Sequence, residues 1–366
     1  MAMKDTTKQA VSVRELFVRG RPNSLNLIRL ALAAAVIVWH SYAALGLPYP
    51  APEFRNLLGA LPVNGFFAIS GFLIYRSWQN KPRVWDFLVA RVVRIYPAFW
   101  ACLIVTALVV APIAVLLQGG SPLLQAFSVE SLTYVLKNAT LAMFQWRIGD
   151  SPTEIPYTVS WNASLWTLAW EFLCYLGLMV LGLLGMLRRR WLLAAAFAIS
   201  IALNLLQMIP LFAVEVIERV GRFSVFFLAG AIVAQYSHRI RANWVVTIAA
   251  LTLMTACAWG PPSAIVIQAP ATALGLILLG GLANPKWAEL RNDISYGVYI
   301  YAFPIQQLLV VAGATGLGLV WFSTLAFTLT VPFAAISWFV IEKPALKLRS
   351  ALGYRPWFKR AERLKS

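Results

Sequence analysis

Ten times along the chain the sequence settles into an apolar stretch close to the roughly 20 residues a helix needs to cross a bilayer. The stretches cover residues 25–45, 59–77, 95–117, 161–187, 191–210, 222–237, 243–260, 263–283, 295–313 and 318–341. With 60% of residues hydrophobic and 12% charged, too little polar side chain is left to coat a water-facing fold, so lipid is the expected solvent. In lipid, backbone N–H and C=O groups must pair within the segment, which makes each crossing a helix. The expected fold is all-α: a polytopic integral membrane bundle of about ten transmembrane helices. The thinnest division is Gly260-Pro261-Pro262, the sole break between the seventh and eighth stretches.

Charge tests that count independently. A formal net charge of +17 invites a nucleic-acid partner, but the basic residues gather in short loops between apolar stretches, which argues against one. With the N-terminus in the cytoplasm and the chain alternating sides, 26 of the 31 Lys and Arg fall inside. Only Arg55, Lys137, Arg147, Arg219 and Arg222 fall outside. Merging or splitting one crossing would scatter this bias, so an even number is expected, with both termini cytoplasmic. The basic residues Lys4, Lys8, Arg14, Arg19 and Arg21 precede an apolar stretch that arrives late and lacks a small-residue cleavage site. That pattern reads as an uncleaved first crossing.

Three units follow: a basic cytoplasmic N-terminus over 1–24, a transmembrane domain over 25–345, and a basic cytoplasmic tail over 346–366. The external segment 118–160 is richer in polar and turn residues and is expected to fold over the outer mouth. The aromatic, basic tail with Tyr354, Trp357 and Phe358 fits either an anionic cytoplasmic leaflet or a solvated topology signal. Cys102, Cys174 and Cys257 lie inside apolar stretches, an odd number with neither disulfide nor zinc spacing, so packing is their role and no metal is expected.

Ionisable groups inside a bilayer are costly and mark sites. His40 lies eleven residues beyond Arg29 on the first stretch. Eleven residues make close to three turns, so both project from one face, roughly 16 Å apart along the axis. The plainer alternative is a core histidine and an arginine at the membrane edge. Arg91 and Arg94 are one turn apart at a cytoplasmic helix end, where two guanidinium forks suit phosphate. Taken alone, an ordinary positive-inside loop is the commoner explanation of such a pair. Pro97, after Tyr96, predicts a break or kink there. Glu171 is an acidic residue well inside a crossing, and Tyr175 shares its face. A buried carboxylate needs a partner, and His40 and the arginines are candidates; a structural acceptor for another helix is the alternative. Gly65, Ser70 and Gly71 permit close helix approach, which is packing. His238, beside Arg239 and Arg241, reads as a surface residue.

These stretches together resemble the membrane acyltransferase-3 family, whose members O-acylate cell-surface and secreted polysaccharides, lipopolysaccharide and related glycans. The resemblance runs in order through Arg29 to His40, then Phe66-Phe67-Ala68-Ile69-Ser70-Gly71-Phe72-Leu73-Ile74, then Arg91-Val92-Val93-Arg94-Ile95-Tyr96-Pro97. It continues through Ser164-Leu165-Trp166-Thr167-Leu168-Ala169-Trp170-Glu171, Ile294-Ser295-Tyr296-Gly297-Val298-Tyr299 and Phe339-Val340-Ile341-Glu342-Lys343-Pro344. Two departures stand out. Asn26 occupies a place near where many relatives carry Asp, and Tyr299-Ile300-Tyr301-Ala302-Phe303-Pro304 lacks a histidine that many carry.

The resemblance implies a bundle of about ten helices and an enzyme that moves an acyl group, acetyl by default, from cytoplasmic acyl-CoA to a glycan hydroxyl. It implies His40 and Arg29 as an essential pair, Glu171 as a further catalytic-site residue, and Arg91 and Arg94 facing the acyl-CoA. Chemically, His40 suits the base that takes the hydroxyl proton, and Glu171 suits a group that orients it. The partners implied are a glycan or lipid-linked saccharide acceptor, acyl-CoA and the lipid bilayer, in a bacterial cytoplasmic membrane. A transporter or flippase for a lipid-linked glycan is the rival reading, since transporters also place charge at mid-bilayer.

Overall fold

The structure, a computed structural model, describes residues 11–18, 21–290 and 292–351. Lys4, Lys8 and Arg19, and the tail residues Tyr354, Trp357 and Phe358, lie outside the described residues. Among the described residues the fold is all-α. A long helix stands on each of the ten apolar stretches: α1 (Leu25–Ala44), α2 (Leu61–Asn80), α3 (Val84–Val105), α4 (Trp166–Leu183), α5 (Arg190–Leu206), α6 (Glu215–Gln235), α7 (Trp244–Ala258), α8 (Ile265–Leu282), α9 (Ser295–Val311) and α10 (Gly318–Ile336). Among the described residues, six helical stretches are long and apolar enough to cross a membrane, counting their continuations: Leu25–Ala44, Pro52–Asn80, Val84–Leu117, Trp166–Leu183, Pro262–Leu282 and Ala314–Leu348. Arg190–Leu206 and Trp244–Ala258 are apolar but shorter.

Several boundaries differ from the sequence expectation, for physical reasons. Pro97 sits inside α3 and does not break it. A helix packed among others tolerates proline, and the Tyr296 hydroxyl ties α9 to this stretch by donating to the Ile95 carbonyl, two residues before the proline, at 2.9 Å. Helix α4 starts at Trp166, five residues after its apolar stretch begins. The intervening residues are tied down locally. Asn162 Nδ2 donates to the Ile300 carbonyl at 2.7 Å, and its Oδ1 accepts from the Ser164 amide at 3.1 Å. Helix α6 starts at Glu215, seven residues early, and so carries Arg219 and Arg222 within the helix. The Gly260-Pro261-Pro262 break does separate α7 from α8.

The core sits where α2, α6 and α9 meet their neighbours. Gly71 on α2 and Gly230 on α6 let two backbones touch: a Cβ at Gly71 would overlap the Phe227 carbonyl, and one at Gly230 the Ala68 carbonyl. The small residues of α2 are therefore packing residues, and Phe67 stacks on Phe223 beside them at 4.4 Å. Helix α9 is buried along nearly its whole length, from Ser295 to Gln307, which fits a helix with no polar face. The connection between α3 and α4 carries the amphipathic helix Val129–Asn138. It lies against the α1–α2 loop, where Gly46 meets Pro156, and against α9, where Gln307 Nε2 donates to the Tyr157 and Ser160 carbonyls at 2.8 Å.

Candidate active site

His40 sits near the end of α1 and lines a cavity of about 380 Å³. The cavity is bounded by residues from the joins of α1–α2 (Arg55, Asn56) and α3–α4 (Ala163) and from the first turn of α6 (Glu218), so it opens at one end of the bundle. Ser164 Oγ lies 3.3 Å from His40 Nδ1, and the Phe303 ring meets the imidazole edge-on with centroids 5.0 Å apart. With Nδ1 engaged by Ser164, Nε2 is the nitrogen left for a substrate. Thr167 and Tyr299, hydrogen-bonded hydroxyl to hydroxyl at 2.6 Å, form another wall.

Arg222 faces the same cavity. Its Nε donates to Asn64 Oδ1 at 3.1 Å, and Nη2 lies 3.5 Å from the Ala60 carbonyl. Both partners are neutral, and among the described residues no salt bridge involves Arg222. Sequence reasoning missed Arg222 because its apolar stretch was taken to begin there, which left it an external loop charge. The signal was the helical phase: Arg222 lies four residues beyond Glu218 on one face, and both border the cavity.

The other expected residues lie elsewhere. Arg29 pairs with Asp293, which also takes Arg94 Nη2 at 2.6 Å; Arg94 Nη1 reaches Glu342 at 2.9 Å. Two guanidiniums and two carboxylates thus interlock α1, α3, the approach to α9 and the π-turn that ends α10 at Glu342. Burial alone would raise the Asp293 carboxyl, but Arg29, Arg94 and Ser295 outweigh it and hold it below the usual carboxylate range. Asn26, near where relatives carry Asp, donates to the Leu290 carbonyl at 2.8 Å, so the acid for Arg29 comes from Asp293. Arg91 donates to Ser77 at 2.7 Å and lies over the Phe87 and Tyr175 rings. Glu171 accepts from Ser70 at 2.6 Å and from the Tyr175 hydroxyl. The structure gives His40 Ser164 as its partner and does not bring Glu171 to the imidazole.

The two regions are nevertheless joined. Glu171 stands one turn beyond Thr167 on α4, and Tyr175 one turn further, beside Arg91. On the other side the Tyr299 ring meets the Phe66 ring with centroids 5.6 Å apart, and the Arg29 guanidinium lies 5.8 Å from the Phe66 centroid. Polar and aromatic side chains therefore run from the cavity to the arginines. At the position of the histidine carried by many relatives, Ala302 is buried, and the adjacent Phe303 packs on His40. Among the described residues no cluster of His, Cys, Asp or Glu fit for a metal ion occurs.

Residues 23–339 match the family described as an acyltransferase domain, acyltransferase-3. The chain is 31% identical over 369 residues to nodulation protein 10 of Rhizobium leguminosarum bv. viciae, across 91% of this chain and 95% of that one. It is 30% identical over 339 residues to the O-acetyl transferase of Shigella phage Sf6, across 88% and 96%. No solved structure matches the chain significantly. A multi-pass membrane protein whose sequence matches along nearly its whole length, this chain belongs to the acyltransferase-3 family and is an acyltransferase.

Proposed function

We propose that the protein transfers an acetyl group from acyl-CoA on the cytoplasmic side of a bacterial cytoplasmic membrane to a hydroxyl of a cell-surface or exported glycan, with ten crossings and both termini cytoplasmic. The observation that carries this reading is that His40 and Arg222 face one cavity, a base and a cation whose direct hydrogen bonds go to neutral groups, with the Glu218 carboxylate one turn away acting on it only through space. Acyl transfer needs both of these.

His40 Nε2 takes the proton of the acceptor hydroxyl as its oxygen attacks the thioester carbonyl. Arg222 faces the oxyanion of the tetrahedral intermediate. When that intermediate collapses, the carbon–sulfur bond breaks, the CoA thiolate leaves, and the imidazolium returns the proton to sulfur. Ser164 fixes the ring through Nδ1. The donor arm approaches along the line of polar side chains that starts at Arg91 and passes Tyr175, Glu171 and Thr167. Arg91 and Arg94 belong to the donor side. Arg94, clamped by Asp293 and Glu342, holds α3 in place there. Arg29 acts on catalysis through position, fixing the depth of α1 and hence of His40, and Glu171 keeps the passage polar between α2 and α4.

The test replaces His40 with Ala in cells and reads the O-acyl content of the surface glycan by mass spectrometry, with membrane protein measured by immunoblot. Loss of acylation by about 100- to 10,000-fold is expected for a general base. Full acylation with the variant present in the membrane would overturn the reading.

A further inference from the structure

A second concavity lies on the connection between α3 and α4, with a volume of about 620 Å³. Glu130 and Lys137 come from the helix Val129–Asn138; Phe144, Trp146 and Arg147 come from the loop after it; Val159 closes the far side. We propose that this groove is a subsite for the glycan chain, which holds sugar units next to the one being acylated. The inference rests on the reading of the His40 cavity as the place of transfer.

The lining has the chemistry of sugar recognition. A sugar ring offers an apolar C–H face and a rim of hydroxyls that both donate and accept. The groove pairs aromatic surface, with Phe144 71% exposed, with a carboxylate, an ammonium and a guanidinium. Charges of both signs suit hydroxyls better than a phosphate, which would want cations only.

The groove is also built in advance. Asn138 is fully buried; its Oδ1 accepts from the Phe144 and Gln145 amides at 2.9 and 3.0 Å, and its Nδ2 donates to the Gln145 carbonyl at 2.7 Å. Gln145 Nε2 then ties the Glu130 and Arg147 carbonyls together, each at 3.0 Å. A loop held this way has little entropy left to lose when a ligand settles. Next to the groove, Leu132 and Leu136 are 60% and 62% exposed, and Leu123, Leu124 and Phe127 more so. Such a band belongs at the interface with lipid, which puts the groove at the level where a surface glycan passes.

Groove and cavity share a wall. Val159 lines the groove, the Trp161 amide donates to the Trp146 carbonyl at 2.9 Å, and Ala163 and Trp166 line the cavity. Val159 and Ala163 are four positions apart, a span of at most about 14 Å. A chain of a few sugars reaches from one to the other, with one hydroxyl beside His40.

The experiment uses the full-length protein in detergent with acetyl-CoA and fragments of one, two, four and eight sugars released from the host cell's own surface polysaccharide. The wild type is expected to favour longer fragments through a lower KM. Phe144→Ala and Glu130→Ala, each checked by melting temperature, are expected to raise KM for the eight-sugar fragment about tenfold, with kcat holding, and so to shrink the ratio between long and short acceptors. A wild type without length preference, or a ratio untouched in both variants, overturns the subsite while transfer itself stands. Absence of transfer to every fragment, the same as in His40→Ala, points to failure of the transfer reading instead. An effect of the variants that follows the anionic lipid content of vesicles, and not acceptor length, makes the groove a headgroup site and also overturns the proposal.

Discussion

Buried charge gathers at the His40 cavity and, separately, where Arg29 and Arg94 meet Asp293 and Glu342, and these clusters are wired differently. In the second, each guanidinium meets a carboxylate and Asp293 serves two arginines. In the first, Arg222 bonds the Asn64 amide and the Ala60 carbonyl, with Glu218 acting on it only through space, and His40 meets the Ser164 hydroxyl. Charges that neutralise each other tie helices together, and removing one leaves the other stranded at high cost. A charge fixed by neutral dipoles keeps its field for a ligand, in a setting where that field is weakly screened. One cluster therefore fastens the bundle, and the other is the one the proposed function assigns to the substrate.

The difference is broken most directly by removing chemistry from the cavity. His40→Ala is expected to lower kcat by about 100- to 10,000-fold, and Arg222→Met by about 100- to 1,000-fold, with melting temperatures close to that of the wild type. Steady-state kinetics beside thermal unfolding in detergent reads both. Large destabilisation by Arg222→Met would make Arg222 a fastening residue like Arg94 and erase the distinction.

The converse change is Asp293→Asn, which strands the Arg29 guanidinium and leaves Arg94 with Glu342 alone. It is expected to cost about 3–5 kcal/mol of stability, seen as lost membrane protein and a lower melting temperature, with activity per folded molecule far less affected than in His40→Ala. A stable but inactive Asp293→Asn would place the ion cluster in the chemistry.

How much of this the sequence disclosed follows from the range of each signal. Hydrophobic runs report on twenty neighbouring residues at once, so all ten helices fall on predicted stretches. Their ends drift where local bonds decide: Asn162 delays α4, and Glu215 opens α6 early. The eleven-residue spacing put Arg29 and His40 on one helix, but spacing along a helix says nothing of partners from elsewhere. Asp293 and Glu342 lie 264 and 248 residues away from the arginines they meet, and no local pattern marks such a pair. For the same reason Glu171 looked free to orient His40, whereas Ser70, from α2, already occupies it. Arg222 was hidden by a boundary drawn through it.

Glu171 offers a smaller test of the same contrast. Its bonds to Ser70 and Tyr175 join α2 and α4, and hydrogen bonds to a charged group contribute about 1.5–3 kcal/mol. Glu171→Gln keeps the shape and an acceptor, so a loss at or below that range is expected in unfolding experiments, with the pH dependence of kcat unaltered. A displaced pH profile would mean that Glu171 is felt by His40 despite its own partners.

The smallest expected effect concerns acidity. Because Asp293 is held below the usual carboxylate range in the folded protein, the group binds fewer protons folded than unfolded in acid. The stability it contributes is complete above the unfolded carboxyl value of about 4 and is lost as pH falls through the lower folded value. Wild type and Asp293→Asn are therefore expected to differ most in melting temperature near neutrality and to converge only in strong acid, since Asn carries no proton to titrate. The cavity supplies the control: Arg222→Met removes a cation that makes no salt bridge among the described residues, so its melting difference from wild type should change less over the same acid range than that of Asp293→Asn. If the Asp293→Asn gap were flat, the carboxylate would not be charged in the fold, and the two clusters would no longer be distinguished by how their arginines are neutralised.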